Sequence, residues 1–282
     1  ALETVYTAPQ TDVEALLADI WTDVLRLREV GTQDNFFDLG GDSIMAIQIS
    51  ARAAEAGLRF APGQLFQHQT IAELAAVGTD ERVEAEQGAV TGEAPLTPIE
   101  QWFFEHSGST AHHWNQSWAF TPRESLDLDA LRSALVALMH HHAALRLRFE
   151  ETENGIRQSF ASESDEVELR VVDLSQVQGE EQSRQLAAHK ADLHGAFELA
   201  SGQLMKAMLV DLGAARGELF VLVVHHLAID AVSWPILVDD LETAYSQALR
   251  KEPTDLPAKT TSYGHWARQL AEAAQSDEIG ET

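Results

Sequence analysis

Residues 79–94 are almost bare of large apolar side chains, and that gap limits the chain to folds with two separate cores. The stretch holds five acids (Asp80, Glu81, Glu84, Glu86 and Glu93), one base (Arg82) and breaks at Gly88 and Gly92, with Gly78 just before it. Such a composition buries too little apolar surface to offset the entropy of ordering, so a flexible, acidic linker is expected over 79–94. On its N-terminal side every pattern is helical. Thr11 or Asp12 can cap a helix over 11–30, and Val13, Leu16, Leu17, Ile20, Trp21, Val24 and Leu25 form one apolar stripe. A second helix is expected over 43–57, stopped by Gly57, and a last one over 69–77 with Thr70 as its cap. A short piece at 60–67 carries Pro62 and Gly63. Residues 1–78 therefore read as a small all-α bundle.

From Pro95 onward the pattern is mixed. Helices are expected over 128–143, 179–193 and from Pro235 to about Arg250; proline suits a first helical turn. Strands are expected at Leu145–Phe149, Ile156–Phe160, Val167–Val172, Leu204–Leu212 and Leu219–Leu227. Interleaved strands and helices make residues 95–282 an α/β domain.

Composition removes several function classes. The net charge of −26 argues against a nucleic-acid partner, because phosphate contacts need clustered Lys and Arg. No apolar run approaches the roughly 18 residues of a membrane helix. There is no cysteine, which excludes disulfides, thiol catalysis and thiolate metal sites. The N-terminal Ala-Leu-Glu-Thr-Val-Tyr shows no basic region followed by an apolar stretch, so no secretory signal is read there and a cytoplasmic protein is expected.

Two segments carry chemistry. In Phe36-Phe37-Asp38-Leu39-Gly40-Gly41-Asp42-Ser43, a glycine-bearing loop meets the start of an apolar helix. A helix N-terminus offers free N–H groups and a favourable dipole to a phosphate on Ser43; the plainer alternative is a helix capped by Asp42 or Ser43. In residues 219–234, six apolar residues end in His225 and His226, followed by Asp230, Ser233 and Trp234. Successive strand residues face opposite ways, so one histidine alone can face a given pocket. Three readings stand: a buried, backbone-bonded histidine, a metal ligand, or a general base. The metal reading is short of ligands, and no metal is expected.

The whole of residues 10–78 resembles a peptidyl carrier domain of the nonribosomal peptide synthetases. The resemblance implies an all-α four-helix bundle and attachment of 4′-phosphopantetheine to Ser43, whose arm would hold an aminoacyl or peptidyl thioester. His225-His226-x-x-x-Asp230-x-x-Ser233-Trp234 resembles the active-site motif of the condensation and epimerization superfamily, with a chloramphenicol acetyltransferase-like α/β fold. This implies a catalytic His226, with His225, Ser233 and Trp234 beside it and a structural Asp230 paired with arginine. Leu96–Phe104, His113–Ser117, His141–Phe149 and Thr260–Tyr263 with Trp266 resemble further motifs of that superfamily.

Asp42 before the serine and the Ser-Trp ending point within the superfamily to an epimerization domain, which would invert the α-carbon of the carried thioester from L to D. Formation of a peptide bond by a condensation domain is the alternative, and a non-catalytic carrier and docking module is the third. Expected partners are an upstream adenylation domain, a phosphopantetheinyl transferase and a downstream condensation domain, with the carrier docking on the epimerization domain. Two residues depart from the pattern: Ala231 stands where glycine is usual and Pro235 where arginine is common. A second lobe is expected beyond residue 282, so 95–282 would be the N-terminal half of the domain and inactive alone.

Overall fold

The computed structural model describes residues 6–60, 62–78, 85–164 and 166–275. The chain divides into two compact units, residues 1–84 and 85–282. Residues 79–84 of the expected linker lie outside the described residues.

The first unit is helical: α1 (Asp12–Leu25), α2 (Ser43–Glu55), α3 (Pro62–Gln67) and α4 (Ile71–Val77). Thr11 and Glu14 close a reciprocal capping box on α1, and Thr70 and Glu73 do the same on α4. Leu17, Trp21, Phe36, Ile49, Leu65, Ile71 and Leu74 are fully buried in one core. Trp21 and Phe36 meet edge to face at 5.1 Å.

In the loop before α2, Gly40 sits at φ 93°, a conformation that favours glycine. A Cβ on Gly41 would lie 2.4–2.6 Å from the Phe36 ring. The two glycines thus have separate causes, one backbone and one steric.

The second unit has two sheets. The smaller one has the order β1 (Gly92–Ala94), β4 (Gly155–Phe160), β3 (Leu147–Thr152), all antiparallel. The larger has the order β2 (Asn115–Phe120), β7 (Glu218–His225), β6 (Met205–Asp211), β5 (Leu169–Asp173); β5 runs parallel to β6 and the other pairs are antiparallel. Among the described residues, five α-helices accompany them: α5 (Pro98–His106), α6 (Leu128–His141), α7 (Gly179–His194), α8 (Ser233–Leu249) and α9 (Tyr263–Ala273).

Strand alternation explains why β7 from Leu219 to Val224, and β6 from Ala207 to Val210, carry apolar side chains on both faces. Ala207, Leu209, Phe220, Leu222 and Val224 pack with Leu135 and Leu138 of α6 and Leu237 and Leu241 of α8. Met208, Val210, Val221 and Val223 face the other way, onto Leu193 of α7 and Phe197. With both faces covered, neither strand has a polar side.

Two expectations need correction. The C-terminal part of the 79–94 segment is built into the second unit. Gly92–Ala94 pairs with β4, Val90 is buried, and Gln87 exchanges hydrogen bonds with Lys259 through its amide (2.8 and 2.9 Å). The cause is the buried Arg146, whose guanidinium donates to Met139 O (2.9 Å), Ala161 O (2.6 Å) and Val90 O (3.4 Å). A composition average cannot register a strap held by its backbone carbonyls. Second, Leu145–Phe149 is only in part a strand: a 3₁₀ turn over Ala143–Arg146 precedes β3.

His225 ends β7 on the α7 face, where it is fully buried beside Phe103 and Phe197. Its Nε2–H donates to Ala111 O at 2.8 Å, and Nδ1 accepts from the Leu227 N–H at 3.2 Å. Burial is the main cause that pushes this ring from its ordinary 6.5 down to about 4. Between these values the unfolded chain takes up a proton that the folded chain refuses. The stability this residue confers is therefore complete above pH 6.5 and falls, by about 1.4 kcal/mol per pH unit, as the pH drops toward 4. An NMR titration should show the His225 ring neutral at pH 5.5; a midpoint above 6 would contradict this burial. For the first unit, Gly41→Ala should cost about 2 kcal/mol in urea unfolding, because the buried Phe36 has nowhere to retreat.

Candidate functional site

Ser43 is the first residue of α2 and is exposed. Asp42, not Ser43, is the cap: its Oδ1 accepts from the Met45 N–H at 2.8 Å. The serine hydroxyl makes no hydrogen bond among the described residues and stands at the positive end of a 13-residue helix. The open alternative between Asp42 and Ser43 as cap resolves to Asp42, and the hydroxyl is left free to be esterified. This geometry fits a phosphate ester: an exposed nucleophilic oxygen beside a helix N-terminus.

In the second unit, β2 and β7 pair so that Asn115 lies opposite His225 and Gln116 opposite Val224. Alternation then sends the two polar side chains to opposite faces. Asn115 turns to the α7 face, where its Nδ2 donates to His194 O at 2.8 Å and its Oδ1 meets His194 Nδ1. Burial is the main cause that holds His194 below its ordinary value, with His113 and Lys190 adding to it. Gln116 turns to the α8 face, toward His226.

His226 follows the last residue of β7, and its backbone N–H still donates to Trp114 O at 2.8 Å. Its side chain is exposed, in contrast to His225. Nδ1 lies 2.8 Å from Ile229 O. A carbonyl only accepts, so Nδ1 carries the proton and Nε2 keeps its lone pair. With Thr110, His113, Trp114 and Asn115, His226 lines a pocket of about 250 Å³. Of the two adjacent histidines, one is therefore core and the other faces solvent and a pocket.

Asp230 is exposed, and its Oδ1 accepts from Val232 N (3.0 Å), Ser233 N (2.8 Å) and Ser233 Oγ (2.7 Å). The expected arginine pairing is not formed among the described residues: Asp230 organises the turn into α8 instead, and Ser233 spends its hydroxyl on that turn. Trp234 is buried in the first turn of α8, stacked on Trp118 at 5.3 Å. Its indole N–H donates to Gln116 Oε1 at 2.7 Å.

Helix α8 starts at Ser233, two residues before Pro235. Pro235 stays within the first turn, where its missing N–H deprives the helix of no bond. Ala231 has no positive φ, so its backbone needs no glycine.

Gln116 lies in a segment that resembles a superfamily motif but has no role assigned from the sequence; its signal is the polar run Asn115-Gln116-Ser117 that opens an edge strand. At the end of α6, two adjacent histidines meet α8. His142 Nε2 meets the buried Asp240 of α8 at 2.7 Å, and His141, His142 and Asp240 bring three ligand-type atoms within 4.8 Å. The hydrogen bond with His142 satisfies one oxygen of Asp240 and ties the end of α6 to α8.

Comparison with known proteins assigns both units. Residues 15–77 match the phosphopantetheine attachment site family, and residues 90–282 match the condensation domain family. Among relatives, one subunit of the linear gramicidin synthase of Brevibacillus parabrevis is 46% identical over 278 residues, which are 98% of this chain and 5% of that protein. Surfactin synthase subunit 2 of Bacillus subtilis (strain 168) is 41% identical over 273 residues, 96% of this chain and 8% of that protein. The chain thus spans less than a tenth of the length of these synthetases. The crystal structure of the epimerization domain from the third module of tyrocidine synthetase B is similar with a TM-score of 0.64 and 34% identity, over 69% of this chain and 44% of that one. The starter condensation domain of rhizomide synthetase shares the fold, with a TM-score of 0.55 and 18% identity over 67% of this chain and 46% of that one. The mixed α/β unit has this condensation-type, chloramphenicol acetyltransferase-like fold, and the helical unit before it is the phosphopantetheine attachment domain. The chain belongs to the condensation domain family of the nonribosomal peptide synthetases, with a carrier domain preceding that domain.

Proposed function

We propose that the chain is a carrier and epimerization segment of a nonribosomal peptide synthetase, in which Ser43 bears the pantetheine arm and His226 moves the α-proton of the thioester it presents. When attached, the arm supplies a terminal thiol that carries an aminoacyl or peptidyl group as a thioester. Support for the attachment point is the unbonded Ser43 hydroxyl at the N-terminus of α2, with Asp42 already occupied as cap. The charge of a phosphodiester is favoured there by the helix dipole.

The observation that carries the epimerase reading is the lone pair on His226 Nε2 at a pocket wall, with Nδ1–H tied to Ile229 O. A neutral imidazole fixed in one tautomer can accept a proton at a defined atom. A thioester acidifies its α-carbon, so removal of the α-proton to Nε2 and delivery of a proton to the opposite face of the planar intermediate would invert the centre. Asp230 and Ser233 shape the turn that seats Trp234; His225, neutral and core-bound, serves the strand end and takes no proton. The 34% identity to an epimerization domain favours this reading over bond formation. Peptide-bond formation is the second reading, favoured by the shared fold of a starter condensation domain. No described helix is long and apolar enough to cross a membrane. The partners follow from the arm: a transferase to install it, an adenylation domain to load it and a condensation domain to consume the product.

In the synthetase module that holds this chain, loading the arm in deuterated water should give exchange of the α-hydrogen with formation of both configurations. Ser43→Ala should abolish loading, read as loss of the arm's mass. His226→Ala should load normally and exchange about 10²–10⁴-fold more slowly. Peptide-bond formation without exchange would establish the condensation reading, and neither reaction from a loaded module would leave a carrier and docking role.

A further inference from the structure

Gln116 lies between two groups whose hydrogen-bonding capacities are fixed. On one side, the Trp234 indole N–H can only donate, and it points at Gln116 Oε1 from 2.7 Å. On the other, Gln116 Nε2 is 3.1 Å from His226 Nε2. Reversing the amide would set NH₂ against the indole N–H and oxygen against the imidazole lone pair, which loses both bonds. The amide is therefore locked with its N–H toward the ring. At the far side of the ring, Ile229 O accepts from Nδ1. One tautomer alone satisfies both ends: proton on Nδ1, lone pair on Nε2.

The lock is itself anchored. Trp234 is buried and stacked on Trp118, two residues along β2 on the same face as Gln116. The start of α8 that carries Trp234 is held by the Asp230–Ser233 turn. A continuous chain of directional bonds thus runs from the α8 N-terminus through Trp234 and Gln116 to His226.

We infer that Gln116 is a positioning residue that sets the tautomer of His226, holding the proton on Nδ1 and the lone pair at Nε2 and yielding when Nε2 gains a proton. Once Nε2 is protonated, two N–H groups face each other and the Gln116 bond is lost. The α-carbon's proton moves to Nε2 while its bonding pair stays on the thioester substrate; loss of that proton from Nε2, to the substrate or to solvent, restores the Gln116 bond. The catalytic consequence rests on the epimerase reading; the placement of the proton does not.

The two parts are tested separately. In the full chain with nitrogen-15 histidine, NMR should find His226 protonated at Nδ1 and bare at Nε2. Gln116→Leu should give a mixture of tautomers, and Trp234→Phe should do the same by freeing the amide to turn. Gln116→Glu is nearly isosteric and serves if the Leu variant fails to fold: its carboxylate accepts from both Trp234 and an Nε2–H, so the ring should hold both protons at neutral pH. In the complete module, Gln116→Leu should lower kcat for α-hydrogen exchange roughly 100-fold, by analogy with a base held in the wrong tautomer, with KM within about twofold. Gln116→Glu should move the acid limb of the rate–pH profile up by about one pH unit. A wild-type ring protonated at Nε2, or a Gln116→Leu ring with unchanged tautomer, overturns the inference. Wild-type exchange that Gln116 variants leave untouched overturns it too, while the epimerase reading stands. The predicted tautomer in a wild-type module that exchanges nothing supports the inference and defeats the epimerase reading instead.

Discussion

Strand β7 is buried on both faces, and the placement of the site follows from that constraint. Leu222 and Val224 face α6 and α8, while Val221 and Val223 face α7. A polar side chain anywhere along such a strand would need a partner in a nearly dry layer. The first position with a polar ring is the last of the strand, His225, and it finds its partners in Ala111 O and the Leu227 N–H. The next residue is outside the ladder and exposed. Two adjacent and chemically identical side chains thus acquire opposite fates within one residue step: a neutral core group and an accessible base. Helix α8 must then start close by, because its apolar side covers the face that β7 presents, and this brings Trp234 within reach of Gln116.

Much of this was legible in the residues, and the parts that were not share a cause. Periodicity and capping gave the helices of the first unit, because Thr11–Glu14 and Thr70–Glu73 are local boxes that need no tertiary information. The alternation that separates His225 from His226 is likewise local. What escaped depended on contacts distant in sequence. Residues 85–94 look like solvent-exposed linker by composition, yet a guanidinium 56 residues later gathers the Val90 carbonyl and a strand more than 60 residues away pairs with Gly92–Ala94. Gln116 gains a role only once β2 is registered against β7, 110 residues from His226. Asp230 was expected to seek an arginine; three donors within the next three residues satisfied its Oδ1 first.

The carrier loop repays the same attention to local cause. Asp42 reads in the sequence as a pointer to the neighbouring domain, but it has a task of its own in capping α2. Asparagine caps as well as aspartate, and histidine does not cap in this way. Part of what a residue at this position indicates about its neighbours is therefore set by the helix it begins. The glycines before it are equally constrained: Gly40 by its positive φ and Gly41 by the Phe36 ring, which also packs on Trp21. The loop that presents Ser43 is thereby fixed by the bundle's core rather than by the serine itself, which leaves the hydroxyl free of structural duties.

A base that must both remove and return a proton works best when neither protonation state is strongly trapped. At His226 the neutral ring is held from both sides by neutral partners, an amide N–H at Nε2 and a carbonyl at Nδ1. A carboxylate in the place of either would stabilise the imidazolium and retain the proton. The nearest acid in the motif, Asp230, is turned instead into the start of α8, where its Oδ1 is occupied by Ser233 and Val232. That arrangement suits reversible transfer at carbon, in which the conjugate acid must give up its proton as readily as the base accepted it. The turn of Asp230 into the start of α8 and the placement of Gln116 leave neutral groups, the Ile229 carbonyl and the Gln116 amide, as the hydrogen-bond partners of the ring that we propose moves the proton.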